Sequence, residues 1–188
     1  MRTTSSGSQP PHTSPSCPRV WSVIPRIGPV SSCNGSTAKP VQKEGRLSGL
    51  CASRAVALRD LYRQPMFAWL TGNGDVHAKN LAILKLEGEW RVSPAYDLPS
   101  TLPYRDTTMA LSMLDKKSGF SRRKLLEFGG AIGLPQKIAG RVLDEVLIAT
   151  EPVLDWPASS PYPPEICRDV LRSLRQRRRV VMASPGPA

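Results

Sequence analysis

The chain has 188 residues, 26 Lys and Arg against 15 Asp and Glu, and a formal net charge of +11, so it accommodates one domain of ordinary size with tails and excludes a large multidomain assembly. With 19 prolines and 14 glycines diluting 40% apolar residues, the core must be modest, and the positive charge selects anionic partners such as nucleotides, nucleic acid or acidic protein surfaces. No apolar run approaches the roughly 20 residues that span a bilayer and the N-terminus lacks the apolar core of a signal peptide, so a soluble cytoplasmic protein is the expectation.

Residues 1–50 are rich in Ser, Pro, Thr and Arg and show no helical or strand periodicity outside Val20–Ile24; they read as a disordered segment. Gly28, Gly35, Lys39 and Lys43 lack the spacing and flanking strand of a phosphate-binding loop. Cys17, Cys33, Cys51 and Cys167 form no Cys-x-x-Cys pair and have no nearby His to complete a zinc site, so free thiols are expected. From Ser53 the texture changes. Ala55, Leu58, Leu61 and Tyr62 fall at helical spacing, Pro65 interrupts them, and Met66–Leu70 continues as an apolar turn or helix that delivers the chain to Asn73-Gly74.

The next 25 residues carry the chemistry. Asn73-Gly74 marks a turn, after which Asp75, His77, Lys79 and Asn80 place a carboxylate, an imidazole, an ammonium and a carboxamide within six residues. Leu81–Leu86 reads as a buried strand, Glu87-Gly88-Glu89 as a turn, and Trp90–Val92 as the strand that pairs back and returns Asp97 toward Asp75 and Asn80. Two carboxylates and an amide oxygen are hard donors of the kind that suit Mg²⁺. Asp75 is also ordinary turn chemistry, Asn80 a possible strand-entry cap, His77 a local brace and Lys79 either a phosphate neutraliser or a solvated charge. Beyond Asp97, Pro99 and Pro103 impose an extended path and Thr107–Ser112 reads as a short strand. Ser121 caps a helix over Lys124–Ala131 that Gly133 ends, and Pro135 opens another with Ile138, Val142, Val146 and Ala149 on one face and Leu143 and Leu147 beside them. A proline-rich connection, 156–164, leads to a last helix over Glu165–Met182 whose end is crowded with Arg172, Arg175, Arg177, Arg178 and Arg179. Those arginines complement the helix dipole or contact an anion or nucleic acid.

Asn-x-Asp-x-His-x-Lys-Asn over 73–80, followed by Pro94-Ala95-Tyr96-Asp97, resembles the two motifs of the HipA-like serine/threonine kinases, toxin components of bacterial toxin–antitoxin pairs. Asp75 and Asn80 have the Asp-to-Asn offset of a kinase catalytic loop, while Tyr96-Asp97-Leu98 replaces Asp-Phe-Gly and the usual His-Arg before the base is absent. The resemblance covers about residues 54–150. It implies an α+β, mainly helical fold, the C-terminal lobe of a protein kinase with a small antiparallel hairpin carrying the site. The implied organisation is a disordered segment over 1–50, the HipA-like core over 51–150, and a proline-rich linker with a basic helix over 151–188.

The same resemblance implies ATP- and Mg²⁺-dependent phosphoryl transfer to Ser or Thr of a protein. Asp75 would be the base, His77 its brace and Lys79 a phosphate contact, with Asn80 and Asp97 holding Mg²⁺ and nucleotide. Family substrates include aminoacyl-tRNA synthetases, and a helix-turn-helix antitoxin is the usual partner. A nucleotide-clamping N-terminal lobe is not recognisable here, so a truncated chain with little activity of its own is expected. Two alternatives come from the residues themselves: a non-catalytic basic module that binds antitoxin or nucleic acid through its last helix, and a metal hydrolase using Asp75, His77 and Asp97.

Overall fold

The computed structural model describes residues 40–183; the expectation of disorder over 1–39 lies outside them. Helix α1 spans Pro40–Leu50, α2 Arg54–Thr71, α3 Arg122–Ala131, α4 Gln136–Ala149 and α5 Pro164–Ala183. Strands β1 (Ile83–Leu86) and β2 (Glu89–Val92) form a two-stranded antiparallel sheet. The fold is the mainly helical α+β arrangement expected. Residues 40–50, assigned from sequence to the disordered segment, are helical instead: Leu47 joins the core and Glu44 and Ser48 are buried.

The core lies between α2, α3 and α4. Leu61, Tyr62, Met66, Leu70, Leu125, Phe128 and Leu143 are fully buried, Tyr62 Oη donates to Leu125 O at 3.2 Å, and the Tyr62 and Phe128 rings stack with centroids 6.2 Å apart. Burial pushes the Tyr62 phenol well above its ordinary range. Charged pairs fasten the rim, Arg122 gripping Asp144 at 2.6 and 2.9 Å and Arg63 meeting Glu145 at 2.6 Å.

Helix α2 runs unbroken through Pro65, where a break was expected. An interior proline costs about 3 kcal/mol, whereas each large apolar side chain fully buried contributes about 1.5–3 kcal/mol. Leu58, Leu61 and Tyr62 before the proline and Met66, Trp69 and Leu70 after it are all buried, so packing on both sides outweighs the local penalty.

The hairpin turns on Glu87 and Gly88, with φ of 51° and 87°. Two consecutive left-handed residues make the primed turn whose twist matches paired strands, and glycine adopts the second conformation without a Cβ clash. The register pairs Leu86 with Glu89 and Ile83 with Val92. Residues 107–112 are not a strand, contrary to expectation. Their alternation is real, since Met109 and Leu111 are buried, but Ala110 N donates to Gly74 O and Leu111 N to Val76 O, so they line the 73–80 loop in too short a run to form a ladder.

Helix α5 buries Cys167, Val170, Leu174, Arg177 and Val181. The basic cluster at its end is divided. Arg177 is 6% exposed and reaches Trp69 O and Thr107 O, while Arg178 donates to Thr150 Oγ1 at 3.0 Å and Leu147 O at 2.9 Å. Carbonyls in the last turns of α2 and α4, Trp69 O and Leu147 O, thus gain a further donor from a third helix. This corrects the reading of Arg177 and Arg178 as dipole-complementing or anion-facing charges on their own helix. Of the described cysteines, Cys51 and Cys167 are free thiols, and no described helix is long and apolar enough to cross a membrane.

Candidate functional site

The site begins where α2 stops. Gly72, at φ 78°, caps the helix through Ala68 O and Trp69 O, and Asn73 N donates to Ala68 O at 2.9 Å. The Asn73 side chain then turns inward with no solvent exposure. Its Oδ1 accepts from Asp75 N at 3.0 Å and Val76 N at 3.1 Å, an Asx turn that shapes the loop, and its Nδ2 donates to Asp97 O at 3.2 Å. Gly74 is hemmed in. A Cβ there would collide with Thr101 Oγ1 and lie 2.6 Å from Thr108 O, so only glycine lets these segments close around the loop.

A 3₁₀ turn over Ala78–Asn80 completes the loop. Asn80 N donates to His77 O at 2.9 Å, and Asn80 Oδ1 accepts from His77 N at 2.8 Å. The hairpin then carries the chain out and back. Gln64 of α2 anchors the return through Nε2 to Ser93 O at 2.8 Å, and Tyr96 Oη donates to Lys79 O at 2.8 Å. Asp97 sits in the left-handed region at φ 56°, uncommon for a residue with a Cβ and held here by its neighbours. Asn80 Nδ2 donates to Asp97 Oδ2 at 3.0 Å.

The structure brings Asn80 and Asp97 into direct contact, and ties Asp75 to them through the Asn73 side chain. Asp75 and Lys79 are exposed, and no hydrogen bond links either side chain to the Asn80–Asp97 pair. His77 is half-buried, and its Nδ1 is shielded from solvent without a hydrogen-bond partner. Among the described residues no three His, Cys, Asp or Glu gather closely enough to hold a metal ion, so the three-ligand set of Asp75, His77 and Asp97 is not formed. Asn80 turns its amide nitrogen to the Asp97 carboxylate and its Oδ1 to His77 N. The hard donors of this pair are therefore the Asp97 carboxylate and an amide oxygen that already accepts one hydrogen bond, a sparse set of the kind Mg²⁺ takes, since it keeps several waters and relies on substrate phosphates for the rest.

Sequence reading missed Asn73 as more than a turn marker. The signal was present in its position between a long apolar helix and Gly-Asp, since an Asn that ends a buried helix must satisfy its amide internally. It also missed Thr101, whose Oγ1 accepts from Gly74 N at 3.0 Å. Nothing in its local sequence marks it.

A long core helix, a polar loop at its end and a hairpin that presents an Asp to that loop define a kinase-like C-terminal portion. The family model described as the HipA-like C-terminal domain matches residues 44–154, more than half of the chain, and the chain belongs to that family. Y4dM of Sinorhizobium fredii, named as a kinase, is 34% identical over 99 residues, covering 50% of this chain and 24% of its own length. The serine/threonine-protein kinase toxin HipA of Shewanella oneidensis is 30% identical over 97 residues, covering 49% of this chain and 22% of its own. The solved HipA of Shewanella oneidensis MR-1, in a complex with HipB and operator DNA, superposes with a TM-score of 0.62 at 20% identity over 77% of this chain and 36% of that one. The chain therefore spans well under half the length of these relatives.

Proposed function

We propose that residues 73–97 form the acceptor- and metal-facing wall of a HipA-like serine/threonine kinase site. The observation that carries this reading is the Asn80–Asp97 contact at 3.0 Å, fastened to the Asp75 loop by Asn73. In it Asp75 orients and deprotonates the acceptor hydroxyl, His77 braces the loop, Lys79 faces phosphate, and Asn80 and Asp97 hold Mg²⁺ with ATP. When bound, that ion neutralises charge on the transferring phosphoryl group. Phosphoryl transfer depends almost wholly on positioning and electrostatics, and the chain covers 36% of the solved HipA chain, so activity of the chain alone is expected to be low. A protein substrate such as an aminoacyl-tRNA synthetase, a helix-turn-helix antitoxin as partner and a cytoplasmic setting belong to the same proposal.

The test is paramagnetic. Mn²⁺ added in place of Mg²⁺ should broaden the amide resonances of residues 77–80 and 97 first, and Asp97→Ala should abolish the effect. Broadening spread evenly over surface carboxylates, or unchanged in Asp97→Ala, overturns the assignment. A second reading, nucleic-acid contact by α5, draws on the outward row of Arg168, Arg172, Arg175 and Arg179, all exposed and spaced to share one helix face.

A further inference from the structure

Helix α5 lies beyond residue 154, where the family match ends, yet it sends one cation behind the loop. Arg177 Nη1 donates to Trp69 O at 2.7 Å and Nη2 to Thr107 O at 2.8 Å, and its guanidinium carbon lies 3.9 Å from the Trp69 ring centroid. Burial is costly to this charge and pulls its pKa down to about 10, with Asp106 opposing the shift. An apolar side chain of similar size would fill such a position at least as favourably if packing were the only demand. What an apolar side chain lacks is a rigid planar fork that spans two carbonyls at once.

Those two carbonyls belong to the segments that frame the loop. Trp69 O is in the last turn of α2, which leads directly into Asn73 and Asp75. Thr107 O precedes Thr108, whose carbonyl crowds Gly74, and the run continues to Ala110 and Leu111, whose amides bond Gly74 O and Val76 O at 2.8 Å each. One guanidinium therefore sets the separation between the helix that launches the loop and the strip that backs it.

We propose that Arg177 is a positioning residue of the site: a brace from outside the matched domain that fixes residues 74–76, and with them Asp75, without touching Asp75. Its consequence for chemistry rests on the reading of Asp75 given above; its consequence for loop geometry does not. Arg178 supplies the control, because it is the next residue of the same helix and makes two comparable hydrogen bonds, but to the end of α4.

Amide hydrogen exchange on the full chain separates a local brace from general stabilisation. Arg177→Met is expected to speed exchange at Val76, Ala110 and Leu111 by about tenfold or more, as local opening does, while Arg178→Met leaves these three amides at the rate of the unsubstituted protein. Equal acceleration in both variants, or none in Arg177→Met, overturns the proposal. Arg177→Lys keeps the charge but cannot span both carbonyls, and should fall between; full protection in that variant overturns the role of the fork, and it carries the test if Arg177→Met does not fold. Loss of the Mn²⁺ pattern with an intact exchange pattern would sink the kinase reading alone, and the reverse would sink the brace alone.

Discussion

Asn73 shows how much one side chain can carry. Its carboxamide uses both ends, accepting from the amides of Asp75 and Val76 and donating to Asp97 O, and its position is closed to solvent. Truncation leaves those groups without partners, and an unsatisfied buried donor or acceptor costs about 1–3 kcal/mol. Asn73→Ala should therefore lower unfolding stability by about 2–4 kcal/mol, read as a shift of the urea midpoint. Asp75→Asn makes the contrasting case, since an exposed site away from such networks usually changes stability by under about 0.5 kcal/mol. A loss below about 1 kcal/mol in Asn73→Ala would mean that water replaces the carboxamide and that the loop keeps its shape without it. The two positions differ in kind: the buried Asn73 shapes the loop, whereas the Asp75 side chain is exposed.

Among the elements, legibility followed periodicity. Helices α3 and α4 were plain from the cap at Ser121, which accepts from Lys124 N, from Gly133 at φ 92°, and from apolar residues at helical spacing. The hairpin was plain from Glu87-Gly88 between the apolar run Leu81–Leu86 and the β-prone Trp90–Val92. Helix α1 was not, because its residues are short of apolar side chains and its burial depends on α2, a partner that only the folded chain supplies. The stretch 107–112 misled for a related reason: alternation reports which side chains are buried, not whether a neighbouring strand is there to pair with. What holds its start is Asp106, which accepts from Thr108 N at 3.0 Å and Thr108 Oγ1 at 2.8 Å. These bonds hold the carboxyl below its usual range. A carboxyl whose pKa is lowered by folding contributes stability above its unfolded value, near 3.9, and that contribution is lost as pH falls through the folded value. Acid titration followed by the Thr108 amide shift should show this segment loosening below about pH 4, and Asp106→Asn should flatten that response. An unchanged acid profile in the variant would place the transition on another carboxylate.

For the whole molecule, the surplus of positive charge read from composition has an address only in the structure. Two of the clustered arginines cap carbonyls of other helices, so simultaneous substitution of Arg177, Arg178 and Arg179 would disturb the core along with the surface and could not test binding cleanly. The outward row, Arg168, Arg172, Arg175 and Arg179, spans about 16 Å at 1.5 Å per residue. One member, Arg172, pairs with exposed Asp169 at 3.1 Å, a surface bond worth at most about 1 kcal/mol and readily exchanged for phosphate. If this face meets a duplex, affinity should fall steeply with salt, since each neutralised phosphate contributes about −0.9 to the slope of log K against log salt. Replacing all four by Ser should then flatten the slope by about 3–4, while Asp75→Asn leaves it unchanged. Fluorescence anisotropy with a short DNA duplex at several salt concentrations measures both. A slope indifferent to the four substitutions would remove α5 as the contact and return its charge to the simpler role of solvating a helix whose opposite face is committed to the core and to the brace behind the Asp75 loop.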